Sequence, residues 1–264
     1  MDMRLQNKVA VVTGASRGIG LAAVRALAEE GVKVVAGSRK GSAGLDRLVA
    51  QYDVLAVTGD LSTAQGVEDL VAAAHERFGG VDVLVNNVGV LTPRLGGVLS
   101  VTDEDWTATL NANLFSAIRA VRAALPSLIE RKGAIVTVSS VNAFLPDPGI
   151  IDYTVSKAAL TNFSKALSKE VGPQGVRVNT ISPGPVETDM WLAEGGMAAT
   201  VGDAMGVDKE TAREQIVGSL GGFATGRFTR PDEVADLIVM LAGGRTSNIT
   251  GADFVIDGGL IKTL

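Results

Sequence analysis

The chain has 264 residues, 29 acidic against 24 basic side chains, a net charge of −5 and 46% hydrophobic content. That length and apolar share suit an α/β globular protein, and mild acidity with no run of Lys or Arg argues against nucleic acid as a partner. The absence of cysteine, with His75 as the sole histidine, excludes disulfides, thiolate nucleophiles and a Cys- or His-built metal centre.

Apolar runs alternate with helical periodicity along the chain. KVAVVT (residues 8–13) predicts a buried strand, followed by a helix over residues 18–30. Further strands are predicted at 33–38, 53–58, 81–86, 134–140, 176–182 and 253–257, and helices at 44–51, 62–78, 102–125, 152–171 and 231–241. Near-continuous apolar strands imply burial on both faces, and strict strand–helix alternation implies parallel pairing through right-handed crossovers. The expected fold is a doubly wound, seven-stranded parallel sheet of Rossmann type with helices on both faces. No linker, charge block or repeat divides the chain, so one domain is expected across residues 1–264. Residues 183–229 are rich in glycine around a possible helix at 209–219. Long excursions inside compact domains are usually functional, so a substrate lid is expected at about 188–229, with a packed helical insertion as the alternative. No apolar run reaches the ~18 residues of a membrane span. The opening MDMRLQNKVA lacks the apolar core of a signal peptide, so a soluble, cytoplasmic protein without a membrane partner is expected.

TGASRGIG (residues 13–20) joins the first strand to the first helix and places Gly14, Gly18 and Gly20 at the turn. Glycine permits a sharp turn and close approach of a pyrophosphate to backbone N–H groups at the helix start. A ribose 2′-hydroxyl is usually held by a carboxylate at the end of the second strand. Here that end reads AGSRK: Ser38, Arg39 and Lys40, with Arg17 projecting from the glycine loop. Arginine matches a phosphate dianion, so NADP(H) is favoured over NAD(H). Asp60, beside Leu61 after the third strand, suits either an adenine amino group or the cap of the next helix. NNVG (residues 86–89) ends the fourth strand, where a sheet of this kind holds its ligand.

DYTVSKA (residues 152–158) places Tyr153 and Lys157 at i and i+4 near a helix start, on one face. A free phenol, with a pKa of about 10, is a poor acid–base catalyst at neutral pH, and a neighbouring ammonium would lower it. Ser140, at the end of the fifth strand, could hold a carbonyl beside that phenol. Asn113 could bind a water behind Lys157. Strand alternation should turn the rival Ser139 the other way.

These features, in this order, resemble the short-chain dehydrogenase/reductase family, and in particular its 3-oxoacyl reductase-like members, over nearly the whole chain. The resemblance implies a catalytic set of Ser140, Tyr153, Lys157 and Asn113. It implies cofactor contacts at Gly14, Ser16, Arg17, Gly18, Ile19, Gly20, Ser38, Arg39, Asp60, Leu61, Asn87, Gly89, Tyr153 and Lys157, and in PGPVET at Pro183, Gly184, Val186 and Thr188. Val88 stands where the family usually has alanine. The implied activity is hydride transfer between NADP(H) and a carbonyl or secondary alcohol, in a homodimer or homotetramer. Leu91, Val141, Phe144, Leu145, Met190, Trp191 and Met197 are candidate pocket residues and suggest an apolar ketone or acyl chain. Arg94 and Arg227 are candidates for meeting an anionic substrate or carrier. The alternatives are a non-catalytic dinucleotide-binding regulator and a lyase or epimerase on the same scaffold.

Overall fold

The computed structural model describes residues 2–219 and 221–263. Seven parallel strands form one sheet in the order β3-β2-β1-β4-β5-β6-β7. They are β1 (Val9–Thr13), β2 (Lys33–Ser38), β3 (Val54–Thr58), β4 (Val83–Asn86), β5 (Ala134–Val138), β6 (Arg177–Pro183) and β7 (Asp253–Ile256). β1 lies between β2 and β4, with Val12 level with Ala36 on one side and Val85 on the other. Strand order reverses about β1, which opens a crevice at the carboxyl ends of β1 and β4.

Each face of the sheet is covered by helices. Ala10, Val12, Val34, Val83 and Val136 pack under α1 (Gly18–Glu29) and α10 (Pro231–Ala242). Val9, Val11, Val35, Leu84 and Ile135 pack under α3 (Ala64–Phe78), α5 (Ser116–Arg131) and α6 (Ile151–Val171). α2 (Ala43–Gln51) adds Leu45 and Leu48 to the first layer. Double coverage explains why the central strands read as unbroken apolar runs. β3 and β7 are edge strands whose burial alternates along their length, which corrects the expectation of two-sided burial for those two.

The predicted helix over 102–125 is divided and extended. α4 (Asp103–Leu110) starts at a Thr102–Asp105 capping box, a π-helical turn covers Asn111–Phe115, and α5 then runs through Pro126 to Arg131. Proline removes one helical donor. The buried stripe of Ala117, Ala120, Val121, Ala124 and Leu128 continues across it, so packing outweighs the lost bond. The irregular region after β6 contains three helices: α7 (Asp189–Leu192), α8 (Met197–Met205) and α9 (Lys209–Ser219). The last matches its prediction. The first two were hidden by their shortness and by Gly195 and Gly196 between them. Among the described residues, no helix is long and apolar enough to cross a membrane.

Candidate active site

The glycine loop is shaped by direct contacts. Gly14 and Gly18 have φ of +68° and +53°, a region costly for side-chain-bearing residues. A Cβ on Gly20 would lie 2.2 Å from the Gly14 carbonyl oxygen, so α1 can close against the turn only with glycine there. Asn87 staples the turn to β4: its Nδ2 donates to the carbonyls of Thr13 and Gly14, at 2.9 and 3.1 Å. Thr13, which the sequence did not single out, completes the staple, its Oγ1 accepting from Asn87 N at 2.9 Å. Ser16 accepts at its carbonyl from Ser42 Oγ, and Ile19 packs against the core.

Arg17 stands at the N-cap of α1 without a side-chain capping bond, and no acidic residue occupies the first turn. The leading N–H groups of α1 thus have no side-chain partner and suit an anion. Gly18 faces Thr188 across this opening, 3.1 Å from a hypothetical Cβ, which places the segment after β6 opposite the glycine loop. In that segment Val186 bridges to Thr229, while Gly184 lies so close to Asp257 that a Cβ would meet it at 2.8 Å. Arg17 is exposed and pairs with Asp189 at 3.7 Å. At the end of β2, Ser38 is buried with its hydroxyl on the Lys40 carbonyl, leaving Arg39 and Lys40 exposed. Asp60 accepts from Ser62 N and Oγ, and those bonds hold its carboxyl below the usual range. Thr63, not Asp60, caps α3, and Leu61 is buried beside it. These residues fit a dinucleotide: free helix N–H groups and a cradle that a Cβ would fill, with exposed cations at the end of β2.

The four predicted catalytic side chains converge at the carboxyl ends of β4 and β5. β5 stops at Val138, so Ser139 and Ser140 lie just beyond it. They turn opposite ways, as expected: Ser139 Oγ bonds the Lys157 carbonyl and Thr161, whereas Ser140 lies beside the Tyr153 phenol. Tyr153 and Lys157 are 7% and 3% exposed, with Lys157 Nζ 5.7 Å from the phenol ring centroid and donating to the Val138 carbonyl at 3.0 Å. Gly89 faces the same ammonium, and a Cβ there would sit 3.5 Å from Nζ.

One expectation about this set is corrected. Burial pushes the Tyr153 phenol above its ordinary value, with Ser140 acting in the opposite sense. Burial also lowers Lys157 to about 8. Both groups share a dry pocket that disfavours phenolate and ammonium alike, so the lysine does not leave the phenol unusually acidic. The Asn113 side chain is held by protein groups: Nδ2 donates to the Val90 carbonyl and Ser156 Oγ, and Oδ1 accepts from Val90 N. It braces the chain after β4 against α6.

Of the pocket candidates, Leu91, Trp191 and Met197 join Tyr153 and Ile150 in one apolar cluster with Val201 and Ile216. Val141 is buried, Met190 half-buried, and Phe144 and Leu145 exposed. Trp191 packs edge-on against Phe228, centroids 5.5 Å apart. Neither candidate arginine is free. Arg94 binds Asp152 and Asp105, and Arg227 grips both Glu233 oxygens at 2.8 and 2.6 Å. His75 is exposed on α3. Among the described residues, no group of three His, Cys, Asp or Glu side chains could hold a metal.

A parallel sheet feeding a glycine loop and an open helix start defines a dinucleotide-binding protein of Rossmann type. A sequence model of the short chain dehydrogenase family matches residues 8–196. The chain belongs to that family. It is 34% identical over 267 residues to the 3-oxoacyl-(acyl-carrier-protein) reductase FabG of Thermotoga maritima, covering 98% of this chain and 100% of the relative. It is 37% identical over 265 residues to human dehydrogenase/reductase SDR family member 4, covering 97% and 88% respectively. The L-sorbose reductase of Gluconobacter frateurii, solved in complex with NADPH and L-sorbose, superposes with a TM-score of 0.90 at 33% identity over 100% of both chains.

Proposed function

We propose that the protein is an NADP(H)-dependent reductase of apolar ketones or acyl-type carbonyls, with Tyr153 as general acid and base. The observation that carries this reading is the meeting of Ser140, Tyr153 and Lys157 in one buried pocket at the crevice edge, next to a glycine loop fit for a dinucleotide. Bound NADP(H) supplies or accepts the hydride. A phenol held protonated by burial suits proton donation to a carbonyl oxygen. Ser140 orients that oxygen. Lys157, mostly charged below about pH 8, stabilises the phenolate left behind. Asn113 holds the pocket wall against α6.

The basic end of β2, with Arg17 nearby, supports NADP(H) over NAD(H), as does the NADPH in the L-sorbose reductase complex. The cluster of Leu91, Trp191 and Met197 around Tyr153 supports an apolar substrate and a lid built from α7–α9 within a single domain. Exposed Phe115, Val155 and Val255 support assembly into a homodimer or homotetramer, placed in the cytoplasm.

The test is a panel of ketones, quinones and β-ketoacyl thioesters with NADPH and NADH in parallel, followed by cofactor absorbance. Carbonyl-dependent oxidation, faster with NADPH, is expected. Tight cofactor binding without turnover would indicate a non-catalytic regulator. Product formation without net cofactor change would indicate a lyase or epimerase.

A further inference from the structure

Asp152, directly before Tyr153, is 1% exposed, yet against the effect of burial its bonds to Arg94 and Thr109 hold its carboxyl below the usual range. Its Oδ2 accepts from Arg94 Nε at 3.1 Å, Arg94 Nη2 at 2.5 Å and Thr109 Oγ1 at 2.7 Å. Arg94 Nη1 also meets Asp105 Oδ1 at 3.0 Å. Asp105 is itself fixed, because its other oxygen closes the capping box of α4. The Arg94 backbone N–H donates to the Gly149 carbonyl at 2.7 Å, just ahead of α6. One guanidinium therefore joins the chain after β4, the start of α4 and the first turn of α6.

A buried ion pair is a poor device for stability alone, since well-packed apolar residues often do as well or better. Its placement gives it another use. Beyond Arg94 the chain has little packing of its own: Leu95, Val98 and Leu99 are 58%, 56% and 98% exposed. The Arg94 bonds are what hold this segment to α6, and Leu91 on the same segment packs in the Tyr153 cluster.

We propose that Arg94 and Asp152 are positioning residues that set the rotation of the first turn of α6, and with it the aim of the Tyr153 hydroxyl at the substrate carbonyl. The inference rests on the reading of Tyr153 as proton donor. A misplacement of about 1 Å at a reacting group can cost about 100-fold in rate.

The test uses the full-length protein with NADPH and the best carbonyl from the panel, comparing Asp152→Asn, Thr109→Val and the double variant Arg94→Met/Asp152→Leu with Tyr153→Phe. Asp152→Asn should lower kcat about 10- to 100-fold, with NADPH affinity within about threefold of wild type. Thr109→Val, which keeps the ion pair, should lower kcat less but measurably. The double variant should regain thermal stability without regaining kcat, which a purely structural role would not produce. Wild-type kcat in Asp152→Asn, or its return in the double variant, overturns the proposal. If Asp152→Asn does not fold, an unchanged kcat in Thr109→Val overturns it. Tyr153→Phe separates the two readings: if it stays active, the proton-donor assignment fails; if it is dead while Asp152→Asn keeps the wild-type kcat, only the positioning role fails.

Discussion

Replacing Lys157 by methionine should abolish turnover and yet stabilise the fold. Lys157 is 3% exposed and keeps one hydrogen bond, to the Val138 carbonyl, so burial lowers its pKa from 10.5 to about 8. At 1.36 kcal/mol per unit, holding the ammonium in the fold costs about 3 kcal/mol at neutral pH. Methionine of similar length removes that cost but leaves the Val138 carbonyl without its donor, a loss of about 1–2 kcal/mol. The net expectation is a gain of about 1–2 kcal/mol in urea unfolding at pH 7. The sign with pH follows from the lowered pKa. The unfolded chain binds the extra proton between pH 8 and 10.5, so wild-type stability gains on the variant across that window. The advantage of methionine should be full below pH 8, vanish about one unit above it, and turn into a deficit of about 1–2 kcal/mol near pH 10.5, where only the lost hydrogen bond remains. A Lys157→Met protein less stable than wild type at pH 7, or a difference independent of pH, would refute this account of the buried charge.

Gly20→Ala should weaken NADPH binding about 10- to 100-fold in fluorescence titration, because its Cβ meets the Gly14 carbonyl at 2.2 Å and forces the loop away from the helix start. An unchanged affinity would show that the loop does not hold the pyrophosphate. Arg39→Ala should lower NADPH affinity about 10- to 100-fold, the value of a charge-assisted hydrogen bond of about 1.5–3 kcal/mol, and leave NADH affinity unchanged. Equal losses for both cofactors would place the 2′-phosphate elsewhere.

The sheet was legible because its central strands are buried on both faces and read as plain apolar runs, whereas β3 and β7 hid their edge positions. The glycine loop could be read because much of its constraint is local: Gly14 and Gly18 take positive φ and Gly20 abuts the Gly14 carbonyl, whereas the contacts with Asn87 and Thr188 are long-range and were not legible. Tyr153 and Lys157 could be placed on one face because helical spacing does so. Long-range pairing could not be read. Arg94 lies 58 residues from Asp152, and as a lone arginine near a pocket it suggested a substrate contact when it holds a buried carboxylate. Asn113 and Val90 are 23 residues apart, and nothing local announces that the amide would bond the chain after β4. The protonation of the Tyr153–Lys157 pair was misjudged for a related reason. Spacing reveals proximity, but it does not reveal how dry the shared pocket is, and dryness decides the direction of both shifts.

The most direct measurement is the turnover of Tyr153→Phe with NADPH and a reducible carbonyl, alongside its NADPH affinity. The phenyl ring keeps the packing against Ile150 and Met197 and removes the hydroxyl that carries the proton and meets Ser140. A loss of about 100- to 10,000-fold in kcat with cofactor affinity intact is predicted. Turnover near the wild-type rate would contradict the assignment of the proton to this phenol.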